Sequence, residues 1–189
     1  MLTIGTQKSD RITTITDTTW VEYIALDLPS KRVSFRKGVI TIVSPGRNHE
    51  MIGDYIRSII WAYCRKNNLP LFPYNQTTLK AEGKEAKEPD VAYCFGVDKD
   101  KPDLAVEVNL TSGSIDDLTK YQYLKIAEVW LWEENRIKFF AYQTDGYLEL
   151  TRSNFLPSLH SDRVTEIVNS CFGKSLLEVE VIINTEKES

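Results

Sequence analysis

Glu88-Pro-Asp-Val-Ala-Tyr-Cys94 and Asp103-Leu-Ala-Val-Glu-Val-Asn109, followed by Thr111-Ser-Gly-Ser114 and a run ending at Ala127-Glu-Val-Trp-Leu-Trp132, decide how the chain is read. Side chains alternate across a strand. In 104–110, Leu104, Val106, Val108 and Leu110 therefore share one face, while Ala105, Glu107 and Asn109 share the other. A carboxylate in so apolar a strand is costly to bury unless it is paired or binds a metal. The alternative is an edge strand whose second face is wet. Asp90 opens the neighbouring run directly after Pro89, a placement equally open to a plain turn residue. Adjacent strands could aim both carboxylates at one point. Two hard oxygen ligands, completed by water and a substrate phosphate, suit Mg²⁺. Such an ion lowers the pKa of bound water and stabilises charge on a phosphate in transfer.

Working outward, Asp17 or Thr18 caps a short helix through Trp20, Tyr23, Ile24 and Leu26. Arg32–Arg36 and Val39–Val43 alternate around Lys37-Gly38, a hairpin signal. Ser44-Pro-Gly opens a long helix over about 47–67, with Ile52, Ile56, Ile59, Ile60 and Tyr63 on one face. Leu71–Leu79 is β-prone, and Lys80–Lys87 reads as a charged loop. A helix follows at 114–126, then strands at 129–132, 137–142 and 147–150, and a last helix at 162–171. The expected class is α/β, a mixed β-sheet flanked by helices. The length and 42% hydrophobic content suit one domain over 1–189, with 1–16 and 180–189 loosely ordered.

Neither a membrane-length apolar run nor a signal-peptide segment is present, so a cytoplasmic protein is expected. Cys64, Cys94 and Cys171 are odd in number and form no CxxC pair, which favours buried free thiols. A net charge of −4 argues against bulk, non-specific nucleic-acid binding. Arg36, Lys37, Arg47, Lys80, Lys84 and Lys87 either converge on a local DNA-facing patch or are solvated surface. For most of Trp130, Trp132, Tyr121 and Tyr123, core packing is expected ahead of base stacking. At the start of the long helix, His49 falls near the apolar face and reads as a core-edge histidine ahead of a metal ligand. Glu50 is favoured there by the helix dipole and could also give a third acidic contact to a metal.

These residues resemble the PD-(D/E)xK nuclease superfamily and, within it, the Uma-type family of restriction-endonuclease-like proteins. The resemblance rests on ordered blocks at 44–50, 77–80, 88–90, 102–108, 111–116, 128–133 and 152–157, covering about 20–170. It implies a restriction-endonuclease-like core and hydrolysis of DNA phosphodiester bonds with Mg²⁺, or Mn²⁺ in its place. It implies Asp90 and Glu107 as metal-holding acids and DNA as partner; Glu50 stays a candidate outer contact from its place at the helix start. Homodimerisation follows from superfamily habit. The chain departs from the pattern at Asn109, where the superfamily has a lysine, and at Asp117, where this family commonly carries it. Lys120, one turn after Asp117, is the candidate to supply that charge, with Lys80 in reserve. Without it, the same fold becomes an impaired nuclease serving as a nucleic-acid-binding or regulatory module.

Overall fold

The computed structural model describes residues 10–26, 28, 31–74, 77–110 and 114–185. Residues 1–9, the elbow 111–113, the tail 186–189 and the side chains of 114–117, Asp116 and Asp117 among them, lie outside the described residues.

Eleven strands and five helices are present among the described residues, and the strands divide into two sheets. Strands β1 (Arg11–Ile15), β2 (Arg32–Arg36), β3 (Val39–Ser44), β5 (Leu79–Ala81) and β6 (Glu85–Lys87) form one, in the order β1-β3-β2-β6-β5. Strands β4 (Leu71–Pro73), β7 (Val91–Phe95), β8 (Leu104–Asn109), β9 (Glu128–Glu133), β10 (Arg136–Gln143) and β11 (Gly146–Leu150) form the other, in the order β11-β10-β9-β8-β7-β4. The second sheet is mixed because β8 and β9 run parallel. A parallel pair needs a crossover, and helix α3 (Ser114–Leu124) makes it.

β8 lies between β7 and β9, so Glu107 stands on a central strand and is 4% exposed. The wet-edge alternative is thereby excluded. One face of this sheet carries Val91, Tyr93, Leu104, Val106, Val108, Trp130, Trp132 and Phe139. They pack on Ile52, Ile56, Ile59 and Ile60 of α2 (Arg47–Lys66) and on Val164 and Val168 of α4 (Ser161–Cys171). The spacing of the isoleucines, i, i+4, i+7 and i+8, keeps them on one helix stripe. The opposite face, with Ala105, Val129 and Leu131, packs under Tyr121 and Leu124 of α3. Trp130, Trp132 and Tyr121 are thus core, while Tyr123 is 47% exposed.

In the first sheet, Val33, Phe35, Ile40, Ile42 and Ala86 turn toward Trp20 and Tyr23 of α1 (Trp20–Ala25). The cap of α1 is Thr19, which forms a reciprocal capping box with Glu22. Asp17, expected as a cap, instead sits at φ 57 in the preceding bend. The hairpin at Lys37-Gly38 is as expected, with φ of 46 and 77, values that favour glycine at the second position.

Three segments depart from the sequence reading. Arg11–Ile15 forms β1, pairing Ile12 with Val43 and Thr14 with Thr41, where a loose lead-in was expected. All five of its residues are exposed, so no apolar alternation announces it. Glu85–Lys87, expected in a loop, pairs with β5 and β2 and is wholly buried. Residues 180–185, expected to be loosely ordered, belong to helix α5 (Leu176–Thr185), which packs through Val179 onto the main core.

Candidate active site

The register of β7 and β8 pairs Val91 with Val106 and Ala92 with Ala105, so Asp90 stands one step beyond, opposite Glu107. Because side chains alternate, both carboxylates leave the sheet on the face shared by Ala92 and Ala105, away from the isoleucines of α2. Both line one cavity of about 220 Å³, together with Asp10, Arg32, Ser34, Thr41, His49, Lys87, Asn109 and Lys120. The two acids singled out from sequence are therefore brought together.

Asp90 is 4% exposed and densely held. Its Oδ2 accepts the Val108 N–H at 2.7 Å. Its Oδ1 lies 2.9 Å from Arg32 Nε and 3.0 Å from His49 Nε2. Burial alone would raise its pKa, but His49, Arg32 and the Val108 amide outweigh that and hold it below the usual carboxylate range. Arg32 also reaches Glu50 Oε1 at 3.1 Å. Glu50, the expected third acidic contact, is about half exposed at 49% and grips Arg32 outside the residues that line the cavity.

His49, in the first turn of α2, occupies the place beside Asp90 instead. Its Nδ1 lies 3.0 Å from Asp10 Oδ2, and Asp10 Oδ1 accepts the Gly46 N–H at 2.6 Å. Burial would lower the imidazole pKa, but Asp10 and Asp90 push it up to about 10. Asp10 itself is held below its ordinary value, since His49 and the Gly46 amide outweigh its burial. The approach of Nε2 to Asp90 is off the axis of a hydrogen bond, leaving this buried nitrogen without an aligned partner.

Glu107 accepts a short hydrogen bond from Tyr121 Oη of α3, and its Oε2 meets Lys87 Nζ at 2.9 Å. Lys87 is 8% exposed and lies 5.9 Å from the Tyr121 ring centroid. Lys120 also borders the cavity, and its charge is felt at Glu85. Lys80 is exposed on β5 and outside the cavity lining. An ammonium in contact with Glu107 is thus that of Lys87, on β6, three residues ahead of Asp90. Sequence reasoning set Lys87 aside as surface. The signal that locates it is Glu82-Gly83, which closes a β5–β6 hairpin with Gly83 at φ 70 and sends Lys87 inward.

Glu85, two residues before Lys87, is 1% exposed, and its Oε1 has no hydrogen-bond partner. Arg36 Nε stands 3.9 Å from Oε2. Burial pushes its pKa up to about 7 against the pull of Arg36, Lys120, Lys37 and Lys87. A carboxyl that binds its proton more tightly when folded favours the fold below its unfolded pKa and loses that advantage as pH rises to about 7. Glu85→Gln is accordingly expected to match the parent near pH 4 and to be more stable by about 1–3 kcal/mol at pH 8. Urea unfolding of both proteins at the two pH values measures this.

The donor set fits a divalent cation. Asp90 and Glu107 are hard oxygen donors on one cavity, and Mg²⁺ sites commonly use one or two carboxylates. Among the described residues, no group of three or more His, Cys, Asp or Glu side chains is placed to hold a metal ion by itself. Remaining positions would fall to solvent and substrate.

The fold has a solved counterpart. A crystal structure titled as a putative nuclease belonging to DUF820 from Anabaena variabilis superposes with a TM-score of 0.54 at 12% identity. The match covers 87% of this chain and 98% of that one, and establishes a shared fold of the restriction-endonuclease-like kind. Comparison with curated proteins finds no match. The family model Uma2, described as "Putative restriction endonuclease", matches residues 20–170, from α1 into α4 and including Asp90 and Glu107, and on that match the chain belongs to the Uma2 family.

Proposed function

We propose that the protein is a metal-dependent endonuclease that hydrolyses DNA phosphodiester bonds at the Asp90–Glu107 cavity. The observation that carries the reading is the pairing of these acids across β7 and β8 with a buried lysine on the second. Family membership supports the nuclease class. Asp90 and Glu107 would hold Mg²⁺ or Mn²⁺. When bound, such an ion supplies Lewis-acid stabilisation of the phosphate and a water of lowered pKa.

The chain's own residues do the rest. Lys87 fixes the Glu107 carboxylate and brings a positive charge to where the pentavalent phosphate gains negative charge. In a site that excludes water, such preorganised charge is worth far more than in bulk. Tyr121 holds the other Glu107 oxygen and so sets the rotamer of the carboxylate. Arg32, bridging Asp90 and Glu50, is placed to release one partner and clamp a phosphate oxygen by its planar donor fork. Lys120 adds charge at the cavity rim. A pair of chains related by two-fold symmetry would cut both strands.

The test is cleavage of supercoiled plasmid by purified protein with Mg²⁺ or Mn²⁺. Cleavage is expected from the parent and is expected to be lost in Asp90→Asn and Glu107→Gln. Activity that survives both substitutions would sink the assignment. A parent protein that binds DNA but never nicks it would move the reading to a binding or regulatory module.

A further inference from the structure

Asp90 and Glu107 lie at the foot of a narrow recess, not on a surface against which a double helix could rest. We propose that the DNA this cavity takes is a single-stranded segment, admitted one nucleotide at a time with its base unstacked. The inference rests on the nuclease reading and goes beyond it in naming the form of the substrate.

The recess itself is the first observation. Asp90 and Glu107 are each 4% exposed and Lys87 is 8% exposed. The cavity that reaches them holds about 220 Å³, below the roughly 300–1,000 Å³ of pockets that enclose a drug-sized molecule. A duplex is a stiff rod over the length of a binding site, and its phosphates cannot be brought down to buried carboxylates through so small an opening. A single strand can turn one phosphate inward, because its bases splay and its backbone follows.

The floor of the recess is the second. Thr41 pairs with Thr14 on β1 and with Ser34 on β2. One step beyond the Phe35–Ala86 pair, Ser34 stands opposite Lys87. A row of hydroxyls therefore crosses from the outer strand to the ammonium at Glu107. The next row on the same face is Ile12, Val43 and Arg32, and its outer member Ile12 is 50% exposed. Except for Thr14, the residues of both rows line the cavity. Hydroxyls and an ammonium suit a sugar–phosphate chain. An apolar strip ending in a guanidinium suits the face of an unstacked base. In a duplex that face is covered by its neighbours, and the strip would meet nothing.

Charge is the third. Among the described residues, Arg32, Lys87 and Lys120 are the lysines and arginines of the cavity wall, on a chain of net charge −4. That set can neutralise about three phosphates, too few for a protein that depends on the duplex backbone for its affinity. Each centre would take one strand, and a duplex would be cut where it is opened.

The experiment is fluorescence anisotropy of the full chain, in EDTA so that nothing is cleaved. The probes are a short labelled single-stranded DNA and its blunt duplex. The single strand is expected to bind about tenfold more tightly, the order of one unstacked base gained. Its log–log salt slope should be no steeper than about −2, from about −0.7 per phosphate, whereas a duplex held on 6–10 phosphates would give about −5 to −9. Ile12→Ser should weaken single-strand binding severalfold, and Ile12→Tyr should strengthen it about fivefold by stacking. Both should leave the thermal midpoint unchanged, since Ile12 is exposed on an edge strand. With Mn²⁺ present, supercoiled plasmid, which underwinding opens locally, should be nicked while the same plasmid relaxed resists. Duplex bound as tightly as single strand, a slope near −5, indifference to both Ile12 variants, or equal nicking of relaxed plasmid overturns this inference and leaves the nuclease reading standing. RNA of the same sequence bound more tightly than the DNA overturns the substrate as named. Single-strand preference with no cleavage in Mn²⁺ keeps the ligand and removes the reaction, and no binding to either probe removes both.

Discussion

Lys87→Met is expected to slow plasmid cleavage by about 10²–10³-fold, the usual effect of deleting one preorganised charge at a developing oxyanion. The substitution keeps the length and apolar body of the side chain, which matters because Lys87 is 8% exposed and its ammonium lies 5.9 Å from the Tyr121 ring centroid. What it removes is the ammonium 2.9 Å from Glu107 Oε2. The effect should fall on kcat and leave KM for DNA nearly unchanged, since a charge acting on the transition state adds little to ground-state binding. Single-turnover cleavage with Mn²⁺, beside the same measurement on Lys120→Met, separates the two lysines. Lys120 lines the cavity from α3, and its loss is expected to cost less than about tenfold. The reverse ranking would show that the reacting phosphate sits at the α3 wall, with Lys87 there only to hold Glu107 in place.

The largest effect on stability is expected from Trp130→Ala. Trp130 is fully buried on β9, stacked on Phe139 with ring centroids 4.1 Å apart and planes 17° from parallel. Its indole N–H donates to Glu128 Oε1 at 2.7 Å, while Glu128 Oε2 accepts the Asn154 N–H at 2.7 Å. Truncation removes the packing of a whole indole, about 3–5 kcal/mol, and strips a buried carboxylate of one donor. At about 2–4 °C per kcal/mol for a chain of this size, the thermal midpoint should drop by about 10–15 °C. Trp130→Phe is the informative companion. It keeps the stacking but still orphans Glu128 Oε1, so a loss of about 1–3 kcal/mol isolates the hydrogen-bond part. Trp61→Ala, at a residue 62% exposed on α2, should move the midpoint hardly at all. Differential scanning calorimetry of the three variants decides the order.

What the sequence makes legible follows from how burial writes itself into residue type. The parallel pair β8–β9 and helix α2 are announced by apolar runs and by isoleucines at helical spacing, because water is excluded from them on both faces or along one stripe. Asp90 and Glu107 stand out for the same reason, as charges interrupting such runs. Lys87 and Glu85 do not, because a buried charge compensated across the fold is spelled with the same letters as a solvated one. Their partners, Glu107 and Arg36, are far away in the chain. Asp10 is harder still. It sits beside a strand with no apolar alternation, and only its contact with His49 and Gly46 gives it a purpose. The helix α5 hides behind Leu176, Leu177 and Val181, which are exposed at 64%, 74% and 55% and mark no inward stripe.

Strand β1 has a consequence for anyone trimming this protein. The region that matches the family begins at residue 20, and a shortened version starting there would retain α1, both hairpins and the whole of the larger sheet. It would lose Asp10, the brace behind His49, and it would also uncover the outer rim of β3, whose residues from Ile40 to Ser44 are paired by β1. An unpaired rim of that length is a template for strands from other molecules. Damage to the candidate site and self-association would then arrive in one truncation, and the second would mask the first: an aggregating fragment would look misfolded when it had lost only its outermost strand and Asp10.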